Sequence, residues 1–274
     1  MYSEDRHEPL LHTLECLRDM PEYQACQRVL IVDGKIKQIP HDWEAIQVPR
    51  LQNKFCWGRM WDAGVYSAIY EKVFYIDSDR LLPTNTLELV NKYLEDDMFL
   101  FTSMHFNMQT VMSIEDCKKL LSHKDIDVML EKAADIGYLR YEVRHKEPFH
   151  GPGKNVMSGS TAFTKNTYIR LGGVDQWYCG HGAFADSDFH MQAALNGCNF
   201  YDLNLAEFHY PHSKLGDNDK AMANEDLYKL GLDNFIYYCH KWQLPTSLVE
   251  SYASRAGISR PASYIAKRSK EILG

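Results

Sequence analysis

Apolar residues recur along the chain with two spacings, and segments of the two kinds alternate. Spacings of three and four residues, typical of a helix with one buried face, run through residues 9–18 and 57–69. Short apolar runs at residues 28–32 and 73–76 contain β-branched and aromatic residues, which favour buried strands. This alternation predicts an α/β fold with a mostly parallel central sheet flanked by helices.

The alternation continues in the middle of the chain and then stops. It predicts helices over residues 87–94, 113–121 and 125–139, with a strand over residues 98–102. Residues 147–164 are rich in glycine, proline and serine, so we expect a loop-rich seam there.

This seam divides one expected domain, residues 1–245, into two parts. A nucleotide-binding half covers about residues 1–146, and an acceptor-binding half covers about residues 147–245. A helical tail over residues 246–274 follows, with basic and apolar residues interspersed. Its basic side is either a solvated helix face or a peripheral contact with an anionic membrane surface.

Two carboxylates, Asp77 and Asp79, follow directly after the strand predicted over residues 73–76. Their spacing of two places both side chains on one side of an extended chain. Ligands of parallel α/β sheets bind beyond the carboxyl ends of the strands, where Asp33 also falls. The pair suits Mg²⁺ or Mn²⁺ held against a phosphate-bearing substrate, and an Asx turn without a ligand is the equal alternative.

A second acidic pair, Asp186 and Asp188, begins another predicted helix after a glycine-rich stretch. Carboxylates at this position either cap the helix N-terminus or serve in catalysis. In the catalytic interpretation, one of them is a general base that faces an acceptor hydroxyl. The cleft around that hydroxyl would be lined by Trp177, Tyr178 and His181.

Composition narrows the classes of function. Of the 274 residues, 45% are hydrophobic and 24% are charged, and no apolar run approaches the length of a membrane span. A net charge of −7 argues against general nucleic-acid binding. The seven cysteines lack C-x-x-C spacing, which indicates reduced thiols. Because residues 1–7 do not resemble a signal peptide, we expect a cytoplasmic protein.

Four segments occur in a characteristic order: residues 55–64, Asp77-Ser78-Asp79, residues 158–165, and residues 172–188 leading to His212. This order resembles the inverting, metal-dependent glycosyltransferases of the GT-A fold. The similarity is greatest to family 2 enzymes, chondroitin-polymerase-type domains and β-1,4-galactosyltransferases, and it spans roughly residues 10–242. The resemblance implies a GT-A fold and transfer of a sugar from a nucleoside-diphosphate sugar, in particular a UDP-sugar, to a glycan or glycolipid acceptor.

The resemblance also implies roles for single residues on the donor side. Asp33 and Arg59 would bind the nucleotide, with Asp33 on the uracil and ribose. Asp77 and Asp79 match the Asp-x-Asp motif that holds Mn²⁺ or Mg²⁺ and the ribose. His212 matches the histidine that completes the metal ligands.

Two of the implied roles have a second candidate residue. His209 is the second candidate for the histidine ligand. Asp186 matches the catalytic base, but Ala185 stands where the family has glutamate, so Asp188 stays a candidate for the base as well as for acceptor binding.

The start of the chain departs from the family pattern. Residues 2–6 stand where the family has the turn after its first strand, and we therefore expect a shortened N-terminus. A sugar nucleotidyltransferase and an inactive nucleotide- or glycan-binding relative are the alternative functions.

Overall fold

The computed structural model describes residues 7–33, 39–50, 56–102, 104–108, 112–124, 126–135, 139–143, 160–178, 184–210, 224–255 and 261–273. Its helices are α1 (His7–Leu17), α2 (Trp57–Ser67), α3 (Thr86–Tyr93), α4 (Ile114–Leu121), α5 (Ile126–Asp135), α6 (Lys165–Leu171), α7 (Ala185–Leu195), α8 (Asn224–Lys241), α9 (Thr246–Arg255) and α10 (Pro261–Leu273). Its strands are β1 (Val29–Val32), β2 (Glu44–Gln47), β3 (Lys72–Tyr75), β4 (Arg80–Leu81), β5 (Met98–Phe101), β6 (Met104–Met108), β7 (Leu139–Val143), β8 (Thr161–Thr164), β9 (Asn199–Asp202) and β10 (Ala206–His209). The chain is a mixed α/β protein, as the alternating pattern predicts.

The helices begin and end where local chemistry favours it. The Ser113 hydroxyl accepts a hydrogen bond from the Asp116 amide, so Ser113 is the N-cap of α4. Helix α6 ends at Gly172, whose φ of 84° is readily adopted by glycine. In α2 the residues at helical spacing, Met60, Trp61 and Val65, are buried as the periodicity predicts.

The described strands form three small sheets rather than one long one. β1 pairs with β2, a second sheet has the order β4-β10-β6-β7, and a third has the order β3-β8-β5-β9. Of the seven pairings among the described strands, four are antiparallel. The expected mostly parallel central sheet is therefore not confirmed.

The main reason is the position of β8. This strand lies between β3 and β5 and runs antiparallel to both. The prediction of a loop-rich seam up to residue 164 is wrong for its four residues, all of which are buried. A four-residue strand buried on both faces shows no alternation, and the glycine and serine residues that precede it obscured it further.

An aromatic core joins α2, β3 and β8. The indole of Trp61 stacks on Tyr75 at 4.3 Å between ring centroids and on Phe163 at 5.5 Å. The two helices of the predicted tail pack against α8, and Val249 and Ile265 are buried in the same apolar cluster as Trp61. In the part of the chain that the structure describes, no helix has both the length and the apolar character required to cross a bilayer.

Candidate functional site

Residues 77–80, which we call the acidic turn, connect β3 to β4. Strand β10 lies antiparallel to β4, with His209 opposite Arg80. The Tyr210 amide donates to the Asp79 carbonyl at 2.8 Å and extends this pairing. As a result, His209 Nε2 lies 3.6 Å from Asp79 Oδ2. The structure thus brings together Asp79 and His209, which lie 130 positions apart in the sequence.

Hydrogen bonds fix the acidic turn at several points. The Tyr75 hydroxyl donates to Asp77 Oδ1 at 3.0 Å. Burial and the neighbouring Asp77 charge raise the pKa of Tyr75 well above its ordinary value, so the hydroxyl keeps the proton that it donates. Thr13 of α1 donates to the Ser78 carbonyl at 3.1 Å. The two aspartates are therefore held by strand, helix and sheet contacts.

The guanidinium of Arg80 lies among three carboxylates. Its Nε is 3.8 Å from Asp77 Oδ2 and 3.6 Å from Asp79 Oδ1, and its Nη1 is 3.1 Å from Glu207 Oε1. Burial alone would lower the pKa of Arg80, but the three carboxylates, Glu207 first, outweigh it and raise that pKa. With all four groups ionised, two negative charges remain on this cluster.

Glu207 was not predicted as a site residue from the sequence. It is fully buried in β10. Its Oε2 accepts hydrogen bonds from Thr102 Oγ1 at 2.7 Å and from the Ser160 amide at 3.0 Å. The signal that could have revealed it is one carboxylate within the apolar run of residues 205–208, because a buried acid needs partners.

The described residues fit a divalent cation in part. Within the described ranges, His, Cys, Asp and Glu side chains form no group of three or more that could hold a metal ion. Asp79 and His209 offer one oxygen and one nitrogen donor 3.6 Å apart. Two ligands bound at about 2.1 Å and at right angles lie about 3.0 Å apart, so a small closing movement suffices. Mg²⁺ and Mn²⁺ sites commonly include water and substrate phosphate oxygens as further ligands. His212, the ligand predicted from the sequence, lies outside the described residues.

Asp33 directly follows β1 and is paired with Arg50. Arg50 binds it through two contacts, Nε to Oδ1 and Nη2 to Oδ2, each 2.8 Å long. Arg59, in the first turn of α2, donates to the Pro49 carbonyl at 3.4 Å. The contacts of Asp33 and Arg59 thus meet in the segment after β2, and these contacts do not include the acidic turn.

The second acidic pair is divided between two environments. Asp188 is fully buried and accepts hydrogen bonds from Tyr178 Oη at 3.0 Å, Trp242 Nε1 at 2.7 Å and Lys241 Nζ at 2.7 Å. Lys241 also donates to Asp175 Oδ2 at 2.8 Å. Burial raises the pKa of Asp188, and these donors, Lys241 first, oppose the rise. We call these five residues the buried aspartate cluster.

The buried aspartate cluster corrects part of the predicted acceptor cleft. Tyr178 and Asp188 are both fully buried, so neither side chain is exposed to an acceptor in this structure. They connect α7 to the end of α8 instead. Trp177 is 43% exposed and stacks on Tyr237 at 4.7 Å, while His181 lies outside the described residues.

Asp186 lies in the first turn of α7 and is half-buried. The N-cap of this helix is Phe184, so neither aspartate occupies the capping position considered from the sequence. Phe184 has a φ of 72°, a left-handed conformation that is uncommon for a bulky residue, and its ring stacks on Phe235 at 4.5 Å. Strain of this kind persists where packing enforces it, and it is enriched at functional sites.

No known family model matches the chain, and no curated protein matches it closely enough to identify a relative. Function must therefore be argued from the arrangement of the described side chains. The acidic turn brings two carboxylates close to His209, and the start of α7 offers a half-buried carboxylate beside a strained residue.

Proposed function

We propose that this protein is a metal-dependent, inverting glycosyltransferase with a GT-A-like fold that transfers a sugar from a UDP-sugar to a glycan or glycolipid acceptor. One observation carries the proposal: Asp77 and Asp79 follow strand β3, whose last three residues are half-buried, and His209 Nε2 lies 3.6 Å from Asp79 Oδ2. Carboxylate and imidazole donors at the end of a strand suit a divalent cation that also binds a diphosphate. The sequence motifs that resemble the GT-A enzymes support the same function.

On the donor side, Asp79 and His209 would hold Mn²⁺ or Mg²⁺, with Asp77 oriented by Tyr75. The bound cation would neutralise charge that develops on the leaving nucleoside diphosphate. Asp33 would bind the nucleoside. A carboxylate has about four lone-pair sites, and the Arg50 fork uses the two that face it, so hydroxyl or imide groups can still bind the others.

On the acceptor side, Asp186 is the better candidate for the general base. Both oxygens of Asp188 already accept hydrogen bonds and are buried, whereas Asp186 is half-buried at the start of α7. Asp186 would take the proton of the acceptor hydroxyl as that oxygen attacks the donor sugar from the opposite face, which inverts the anomeric centre. The exposed ring of Trp177 offers an apolar surface for an acceptor sugar.

Thermal unfolding with nucleotide ligands tests the donor site. We expect UDP or a UDP-sugar to stabilise the protein only with Mn²⁺, by about 2.7 kcal/mol at 100 times its dissociation constant. EDTA and Asp79→Ala should each abolish that stabilisation, because both remove the cation. Asp19→Ala, which removes a surface carboxylate paired with Lys118, is the matched control and should retain it.

The reaction itself is tested by the products. Release of UDP from a UDP-sugar in the presence of a glycan acceptor supports a transferase. Release of pyrophosphate from UTP would identify a nucleotidyltransferase, and stabilisation without either product would favour an inactive binding relative. If no nucleotide shifts the unfolding transition under any condition, the proposal is wrong.

A further inference from the structure

Arg80 is not equally close to its three carboxylates. It lies 3.1 Å from Glu207, but 3.6 Å and 3.8 Å from Asp79 and Asp77. A cation that approached the two aspartates would compete with the positive charge of Arg80. The position of this guanidinium therefore decides how much negative charge the acidic turn presents.

Glu207 is the most firmly fixed member of this cluster. It is fully buried, and its Oε2 accepts hydrogen bonds from Thr102 after β5 and from the Ser160 amide before β8. These bonds leave Oε1 on the side of Arg80. Because both partners of Oε2 lie at the ends of strands, Glu207 occupies a position that the sheets determine.

We infer that Glu207 is a positioning residue that holds the guanidinium of Arg80 away from Asp77 and Asp79, so that the two aspartates keep their charge for a divalent cation. The inference rests on the proposed function, because it gives the acidic turn a metal to bind. According to this inference, Glu207 does not contact the metal ion itself but controls how strongly the acidic turn binds it.

The physical reason is the cost of an unpaired buried charge. Arg80 is largely buried, with a side chain that is 13% exposed, and a buried cation needs a counter-charge nearby. Without the Glu207 charge, the carboxylates paired with Arg80 among the described residues are those of the acidic turn. The guanidinium would then move toward them and reduce their attraction for a metal ion.

The test measures Mn²⁺ alone, without nucleotide or turnover, by the electron paramagnetic resonance signal of unbound Mn²⁺. We expect Glu207→Gln to weaken Mn²⁺ binding about tenfold, which is the order of effect of one charge a few ångströms from the cation. Arg80→Gln should change affinity in the opposite direction and tighten binding about tenfold. A general loosening of the fold would not tighten binding, so the opposite sign shows that the charges of this cluster act on the bound ion.

Two further variants separate this effect from simpler ones. Thr102→Val removes a hydrogen bond from Oε2 and leaves Oε1 beside Arg80, so it should lower stability without changing Mn²⁺ affinity. Glu207→Gln should weaken Mn²⁺ binding by a certain factor in the wild-type protein. In the Arg80→Gln background, that factor should be at least three times smaller. Circular dichroism checks that each variant is folded, and if Glu207→Gln does not fold, the same comparison in the two backgrounds is made with Glu207→Asp, which withdraws the carboxylate from Arg80.

The outcomes distinguish this inference from the proposed function. If the wild-type protein binds Mn²⁺ through Asp79 but Glu207→Gln binds equally well, the inference is wrong and the proposed function stands. An equal effect of Glu207→Gln in both backgrounds also overturns it, because Glu207 would then act by its own charge. Failure of the wild-type protein to bind Mn²⁺ overturns both.

Discussion

The acidic turn and the buried aspartate cluster are built from the same kinds of side chain but differ in how tightly they are bound. Each contains two aspartates and a basic residue, and one aspartate of each accepts a hydrogen bond from a tyrosine: Asp77 from Tyr75, and Asp188 from Tyr178. In the buried cluster, Lys241 lies 2.7 Å and 2.8 Å from its two carboxylates. In the acidic turn, Arg80 lies 3.6 Å and 3.8 Å from its two aspartates.

This difference teaches how to separate structural from functional carboxylates. Three donors from the chain itself, one of them the charged Lys241, occupy the oxygens of Asp188 and leave at most about one lone-pair site. The basic residue of the acidic turn is instead drawn toward Glu207. We therefore expect substitutions in the buried cluster to affect folding and substitutions in the acidic turn to affect ligand binding.

The largest expected effect is the loss of the Asp188 carboxylate. Asp188→Ala leaves three donors without their acceptor, and we expect the free energy of unfolding to fall by about 3 to 5 kcal/mol. Urea unfolding monitored by circular dichroism measures it. The matched control is Asp186→Ala, two residues earlier in the same helix, which should change stability by less than about 1 kcal/mol. Equal losses for the two variants would contradict the structural assignment of Asp188.

A smaller effect is expected in the acidic turn. His209→Ala removes the proposed metal donor beside this turn, and we expect Mn²⁺ affinity to fall about 10- to 100-fold, or about 1.4 to 2.7 kcal/mol, with little change in stability. Isothermal titration of Mn²⁺ measures this affinity, and His240→Ala, at an exposed histidine of α8, is the control. Unchanged affinity in His209→Ala, together with a loss in His212→Ala, would identify His212 as the ligand.

Trp242→Phe tests one hydrogen bond of the buried cluster. It keeps most of the aromatic surface but removes the indole N–H that donates to Asp188 Oδ1 at 2.7 Å. We expect a loss of about 1 to 2 kcal/mol in the free energy of unfolding, since the acceptor is charged and buried. The Mn²⁺-dependent stabilisation by nucleotide should be unchanged. If Trp242→Phe folds normally but loses this stabilisation, the buried aspartate cluster also affects ligand binding, and the two regions do not have separate roles.

The smallest expected effect is on pH dependence. Burial alone would raise the pKa of Asp175, but hydrogen bonds from Lys241 and the Trp177 amide lower it below its ordinary value. Its contribution to stability is therefore complete above the unfolded pKa, near pH 4, and is lost as pH falls through the lower folded value.

The free energy of unfolding should therefore decrease less below pH 4 in Asp175→Asn than in the wild-type protein, with a difference of under about 1 kcal/mol. Urea midpoints measured between pH 2 and pH 7 give this slope. If stability falls as steeply below pH 4 in Asp175→Asn as in the wild-type protein, Asp175 does not contribute to this pH dependence.

Local patterns predicted the elements that depend on local chemistry. The helical stripe predicted over residues 57–69 forms α2 up to Ser67, although Ile69 lies beyond the helix and is exposed, and Ser113 caps α4 as expected. The sequence also pointed to the acidic turn, because a strand followed by Asp77 and Asp79 is a local feature. It missed Glu207, whose importance depends on contacts with residues more than 40 positions away. Tyr178 was assigned to a cleft because an aromatic residue near glycines gives no sign of whether it faces solvent or the core.

The central position of β8 has a consequence for how the protein is made. Lys72 of β3 pairs with Thr164 of β8, and about 90 residues of chain lie between them. A ribosome that adds about 5 to 20 residues per second needs roughly 5 to 20 s to synthesise that segment. During this interval the apolar strand before the acidic turn has no sheet neighbour, so its backbone groups and side chains stay unpaired until residue 164 has been synthesised.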